Sequence, residues 1–147
     1  MLIGINPKVS ADLLSVLARM GHGDEIAIVD ANFPAASTAA SCQWPDVISY
    51  PGLNAVGVID LITELMPLDG FSDYAALRMQ IDTAPDELGE VHTEVAALLT
   101  ERLPEGGVLS SIKRQDFYIQ AKTAFAVVQC NEHRAFGCFI LRKGVIF

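Results

Sequence analysis

A histidine between two glycines, Gly21-His22-Gly23, is followed by Asp24 and by an apolar run, Ile26 to Val29, that ends in Asp30. The glycines leave the backbone free to turn tightly and the imidazole uncovered by neighbouring side chains. An unperturbed histidine titrates close to neutral pH, which suits it to exchanging a proton with a bound molecule as a general acid or base. Either Asp24 or Asp30 has the carboxylate that would orient such a ring. Further along, Arg114 offers forked donors for hydroxyls or a carboxylate, and Tyr118 stands one helical turn beyond it on the same side. Each residue also has a plainer use. His22 can complement a helix C-terminal dipole, Asp30 can cap the backbone of Asn32 or Phe33, Arg114 suits a surface ion pair, and Tyr118 suits an amphipathic core edge.

Other chemistries lack their patterns. Gly21-His22-Gly23-Asp24 precedes a strand instead of joining a strand to a helix, and it lacks the Gly-x-Gly-x-x-Gly spacing, so no nucleotide cofactor is expected. His22, His92 and His133 have no metal-ligand spacing, and His92 falls on the charged side of a helix, where solvation is expected; no metal is expected. No Ser or Cys lies in a nucleophile elbow. Cys42, Cys130 and Cys138 are odd in number and form no Cys-x-x-Cys pair, which points to reduced thiols. A formal net charge of -8, with Lys and Arg clustered no further than pairs, argues against nucleic acid and against an anionic membrane surface as partners. No apolar run approaches the roughly 18 residues that span a bilayer. The N-terminus lacks the basic start and long apolar stretch of a secretory signal, so a cytoplasmic location is expected.

The elements that must position these residues follow from periodicity. With 147 residues, 51% of them hydrophobic, the chain is expected to fold as a single domain over residues 1–147. A helix runs from the N-cap Ser10 through Leu13, Leu14, Leu17 and Met20 to Gly21. Residues 25–30 read as a buried strand, followed by a turn-rich loop over 32–37. A strand near 47–50, a helix over 54–66 ended by Pro67, and a strand over 77–81 come next. The clearest helix spans 85 or 86 to 102, with Leu88, Val91, Val95, Leu98 and Leu99 as its inner stripe. A strand over 108–113, a short helix over 116–123 and strands over 125–130 and 136–142 complete the set, with residues 131–134 as a hairpin-like connection. This order predicts a three-layer α/β/α domain with a mixed sheet of about six strands, largely parallel and finished by an antiparallel pair. Ligands gather at the carboxyl ends of strands in such sheets, which favours Asp30 and Arg114. The loop carrying His22 and the strand after it are expected to form the active-site end.

Leu17-Ala18-Arg19-Met20-Gly21-His22-Gly23-Asp24-Glu25 running into Asp30-Ala31-Asn32-Phe33-Pro34 resembles the start of the L-fucose mutarotase and D-ribose pyranase family. Pro51-Gly52-Leu53, Phe117-Tyr118, Ala121-Lys122, Phe125 to Val128 and Arg142-Lys143-Gly144-Val145 follow in the family's order, closer to the fucose branch. The resemblance implies cofactor-free interconversion of sugar anomers by ring-shaped assemblies, typically decamers, whose sites are completed across subunit contacts. It implies His22 as proton donor, Asp30 and Arg114 as sugar-binding residues, and Tyr118 as a nearby aromatic contact. The family's final substrate-binding strip, Tyr-Gly-Asn or Tyr-Ala-Asn, is matched here by Phe136-Gly137-Cys138. Phe136 keeps a stacking face without the hydroxyl, and Cys138 lacks an amide that both donates and accepts. Two readings follow for that departure: an altered sugar preference, or a sugar-binding partner of a transport system that has lost turnover.

Overall fold

The structure, a computed structural model, describes residues 1–147. Its elements are α1 (Ala11–Arg19), β1 (Glu25–Val29), α2 (Ala35–Ala39), β2 (Ile48–Tyr50), α3 (Ala55–Thr63), β3 (Ala76–Met79), α4 (Glu90–Arg102), β4 (Leu109–Ile112), α5 (Arg114–Ala121), β5 (Ala126–Cys130) and β6 (Phe139–Arg142). They form the predicted three-layer α/β/α domain around a six-stranded mixed sheet, in the order β2-β5-β1-β6-β3-β4. No helix is long and apolar enough to cross a membrane.

Strand alternation divides the core. Ile26 and Ile28 of β1, Val128 of β5 and Leu141 of β6 face α1, α3 and α4, whereas Ala27, Val29, Val127 and Ile140 face α2 and α5. Helix α1 begins where expected: Ser10 Oγ accepts the Leu13 N–H at 3.2 Å. It stops at the extended Met20, and Lys143 Nζ takes up its free ends by donating to the carbonyls of Leu17 and Met20. The helix dipole is therefore answered by Lys143, which leaves the His22 ring available for another partner.

Three expectations need correction. Strands β5 and β6 are not a hairpin. The chain after β5 crosses the carboxyl end of β1, and β6 then runs antiparallel between β1 and β3, pairing Ile26 with Leu141 and Arg78 with Phe139. Phe139, Ile140 and Leu141 are all buried, and a strand covered on both faces gains most in the middle of a sheet. Helix α4 starts at Glu90, because the extended backbone of Gly89 precedes it, and Leu88 lies outside the helix and half exposed. His92 is buried rather than solvated, at 1% exposure, because the chain between β5 and β6 folds over that side of α4. The loop over 32–37 contains one addition, the short helix α2.

The central position of β6 gives a direct prediction. Ile140→Ala removes a wholly buried side chain from the middle strand and should cost about 3 kcal/mol of unfolding free energy. Urea unfolding checks this; a loss below about 1 kcal/mol would place β6 nearer an edge than described.

Candidate functional site

The predicted residues gather at two opposite edges of the sheet. Asp30 leaves β1 at the carboxyl edge, where its Oδ1 accepts the Asn32 N–H at 3.0 Å and its own N–H points to Cys138 Sγ at 3.4 Å. The side-chain amide of Gln129 holds the Asp30 carbonyl at 3.1 Å. Cys138 is 1% exposed, and burial, with the Asp30 charge beside it, pushes its thiol well above the usual range. A neutral thiol that accepts from the Asp30 backbone is a structural spacer under the carboxylate, with no nucleophilic character.

The chain leading into Phe136, Gly137 and Cys138 is held by an ion pair with a buried carboxylate, Glu132 with Arg134, that sequence reasoning passed over. Glu132 is 2% exposed, and its carboxylate accepts from Arg134 Nε at 2.8 Å, Arg134 Nη2 at 3.0 Å, the Arg134 N–H at 3.1 Å and the Ala55 N–H at 3.3 Å. Arg134 also reaches Glu94 of α4 at 2.9 Å. Gly137 packs so closely on this pair that a Cβ there would lie 2.7 Å from Glu132 Cγ. Only glycine fits.

Arg114 is the first residue of α5, and its guanidinium lies 5.7 Å from the centre of the Tyr118 ring, as the helical spacing predicts. Its Nε is paired with Asp82 at 2.8 Å. Tyr118 stacks on Phe33, with ring centres 5.2 Å apart and an interplanar angle of 21°. Phe33 follows Asp30 by one turn and joins Arg114 and Tyr118 to the Asp30 group. Asp82 and Phe33 are the members that sequence reasoning passed over.

His22 stands at the other edge, before β1. Its Nε2 is 3.0 Å from Asp69 Oδ1; the His22 side chain is 46% exposed and that of Asp69 only 2%. Neither expected carboxylate orients the ring: Asp24 accepts the Gly21 N–H at 2.7 Å, and Asp30 is at the far end of β1. Burial would raise the Asp69 carboxyl, but hydrogen bonds from Ser72, His22 and the Phe71 N–H outweigh it and hold the group below its ordinary range. A charged, fixed carboxylate behind a half-exposed imidazole keeps one ring nitrogen on the protein and presents the other outward. Gly23, at φ 88°, makes the turn and donates its N–H to the Lys143 carbonyl at 2.9 Å. The Asp69 turn is set by close approaches: a Cβ on Gly70 would lie 2.5 Å from the Glu105 carbonyl oxygen. Asp-Gly at 69–70 is a turn signal that a reading confined to the His22 segment does not connect to His22.

A five-residue strand is roughly 16 Å long, so one copy of the chain does not bring His22 to Asp30, Arg114, Tyr118 or the 136–138 strip. No group of three or more His, Cys, Asp and Glu side chains is arranged to hold a metal.

Glu132 is held below its ordinary range because the hydrogen bonds and charge of Arg134, with the Ala55 N–H, overcome burial. A carboxylate depressed in the folded state stabilises above its unfolded pKa, near 4.5, and that stability is lost as the pH falls through the folded value. Glu132→Gln should therefore lower the melting temperature at pH 7, corresponding to about 2–4 kcal/mol. The gap from wild type should narrow below about pH 4.5. Thermal melts across pH check this, and a gap independent of pH would contradict it.

Residues 3–146 match the model of the RbsD / FucU transport protein family. The chain is 40% identical to the fucose mutarotase of Homo sapiens, over 97% of this chain and 93% of that protein. It is 37% identical to the L-fucose mutarotase of Haemophilus influenzae, over 99% and 97%. The crystal structure of the Streptococcus pneumoniae fucose mutarotase in complex with L-fucose superimposes with a TM-score of 0.87 at 33% identity, covering 99% of this chain and all of that one. The chain belongs to the RbsD / FucU family.

Proposed function

We propose that this chain is a cofactor-independent sugar mutarotase that interconverts the α and β anomers of a monosaccharide, L-fucose, with residues 1–147 acting as one domain. The observation that carries the reading is the His22–Asp69 pair, a half-exposed proton carrier on a buried carboxylate, in a chain similar along its whole length to fucose mutarotases. Ring opening needs a proton delivered to the ring oxygen and the anomeric hydroxyl proton removed. The bond between the anomeric carbon and the ring oxygen then breaks, leaving an aldehyde. Rotation about the adjacent carbon–carbon bond and reclosure from the other face return both protons and yield the other anomer. His22 exchanges the proton with the sugar, and Asp69 holds its ring. Asp30 and Arg114 fix sugar hydroxyls, while Tyr118 and Phe136, with the backbone of Gly137 and Cys138, form the wall.

The separation of His22 from Asp30 supports a site shared between copies, His22 coming from one and the carboxyl-edge residues from its neighbour. Exposed apolar side chains on the His22 edge favour such a contact. Phe71, 70% exposed, meets the His22 ring edge-on at 6.0 Å, and Ile146 is 81% exposed. We read the assembly as a closed ring of copies, a decamer, in the cytoplasm. A second reading, a sugar-binding partner without turnover, is favoured by one feature: Cys138 Sγ is engaged with the Asp30 backbone and offers a sugar neither amide donor nor carbonyl.

Exchange between the anomers of L-fucose, D-ribose and D-galactose, followed by NMR saturation transfer, tests the proposal. The wild type should accelerate L-fucose exchange most, and His22→Ala should lose about 10²–10⁴-fold of that acceleration. Equal exchange with both proteins would remove His22 from the mechanism, and binding without acceleration would favour the second reading.

A further inference from the structure

His92 is the third residue of α4 and is 1% exposed. Gly89, at the helix N-cap, donates its backbone N–H to His92 Nδ1 at 3.0 Å. The other nitrogen, Nε2, lies 2.9 Å from the Phe136 carbonyl oxygen. A backbone N–H can only donate and a carbonyl can only accept, so these two contacts select the neutral tautomer with its proton on Nε2. Burial acts in the same direction, holding the imidazole below the usual histidine range. The Phe139 ring packs against it edge-on at 5.9 Å and fixes its plane.

The residue at the other end of this contact is unusual. Phe136 has φ 60°, the one non-glycine residue of the chain in the left-handed region. That conformation costs an aromatic residue about 1–2 kcal/mol and persists only where its surroundings over-determine it. The peptide after it is pinned by Gly137 against Glu132, and the Cys138 carbonyl accepts the Met79 N–H at 3.0 Å. Only His92 Nε2 holds the Phe136 carbonyl itself. Releasing it would let Phe136 relax toward negative φ, and a change in φ swings the whole side chain about the strip.

We infer that His92 is a positioning residue for sugar recognition: by donating from Nε2 to the Phe136 carbonyl, it keeps Phe136 in the left-handed conformation that aims its ring at the sugar. This rests on the reading that Phe136 lines the sugar site. The role belongs to binding, since the contact is the same before and after ring opening, so its loss raises KM and leaves kcat largely unchanged.

Two substitutions test it. His92→Leu fills the space and removes both contacts. Gln at the third helical position can accept the Gly89 N–H with its carbonyl and donate its amide to Phe136, so His92→Gln should restore both. The expected result is a KM for L-fucose raised about tenfold in His92→Leu with kcat within about twofold, and a KM within about threefold of wild type in His92→Gln. The Gly137 amide shares a peptide unit with the Phe136 carbonyl, so its NMR resonance in the sugar-free protein should move in His92→Leu and stay near wild type in His92→Gln. If His92→Leu does not fold, His92→Glu replaces it, keeping the helix cap without the donor to Phe136. A folded His92→Leu with wild-type KM and Gly137 resonance would overturn the inference, as would equal effects of Leu and Gln. Absence of anomer exchange in the wild type itself would count against the mutarotase reading, and the Gly137 resonance would still decide whether His92 holds Phe136.

Discussion

Strand β6 makes backbone hydrogen bonds to β1 on one side and β3 on the other, antiparallel to both, and each half of the site depends on that insertion. To enter there, residues 131–138 must cross the carboxyl end of β1, which sets Cys138 under the Asp30 backbone and Phe136 beside α4. At its far end, β6 delivers Arg142, Lys143 and Gly144 to the opposite edge. The Arg142 carbonyl takes the Asp69 N–H, the Lys143 carbonyl takes the Gly23 N–H, and Gly144 donates to the Pro67 carbonyl. The turn holding His22 and the turn holding Asp69 are thus both pinned to the strand that carries the 136–138 strip. A Cβ on Gly144 would lie 2.2 Å from the Leu68 carbonyl oxygen, so this meeting point has no room for a side chain.

Two kinds of carboxylate serve these edges. Asp69 and Glu132 are almost wholly buried and are kept ionised by donors that surround them, and each fixes a neighbour: His22 for one, the loop through Arg134 for the other. Their burial costs solvation, which these hydrogen bonds offset only while every partner is present. Asp30 is different in kind. It is partly exposed and only half engaged, with one oxygen on the Asn32 N–H, so it retains capacity to accept from a ligand hydroxyl.

What was legible in the sequence was local. The Ser10 cap, the buried β1, the Arg114–Tyr118 spacing and the solitary strand-end Asp30 follow from periodicity and residue type alone, and the layered fold follows from the order of elements. The partners of those residues were not legible, because they are set by pairing across long stretches of chain. Asp69 reaches His22 only after β6 has brought the two turns together. Glu132 and Arg134 read as part of a hairpin-like connection, since nothing in a short polar run says that it crosses a sheet edge. His92, among Glu90, Thr93 and Glu94, has the neighbours of a solvated helical face, and only the crossing chain buries it. The division of His22 and Asp30 between edges was hidden for the same reason. Nearness in sequence reads as nearness in space, whereas a strand carries its two ends apart.

On the proposed mechanism, one working site needs His22 of one copy and Asp30 of another. This is tested most directly by mixing two variants, His22→Ala and Asp30→Ala, and letting their subunits reassort. Each variant alone should give no accelerated exchange of L-fucose anomers. In randomly mixed assemblies, roughly a quarter of sites combine an intact His22 with an intact Asp30, so about that share of wild-type exchange should return. A mixture as silent as its parents, in assemblies shown by mass spectrometry to contain both chains, would contradict the account.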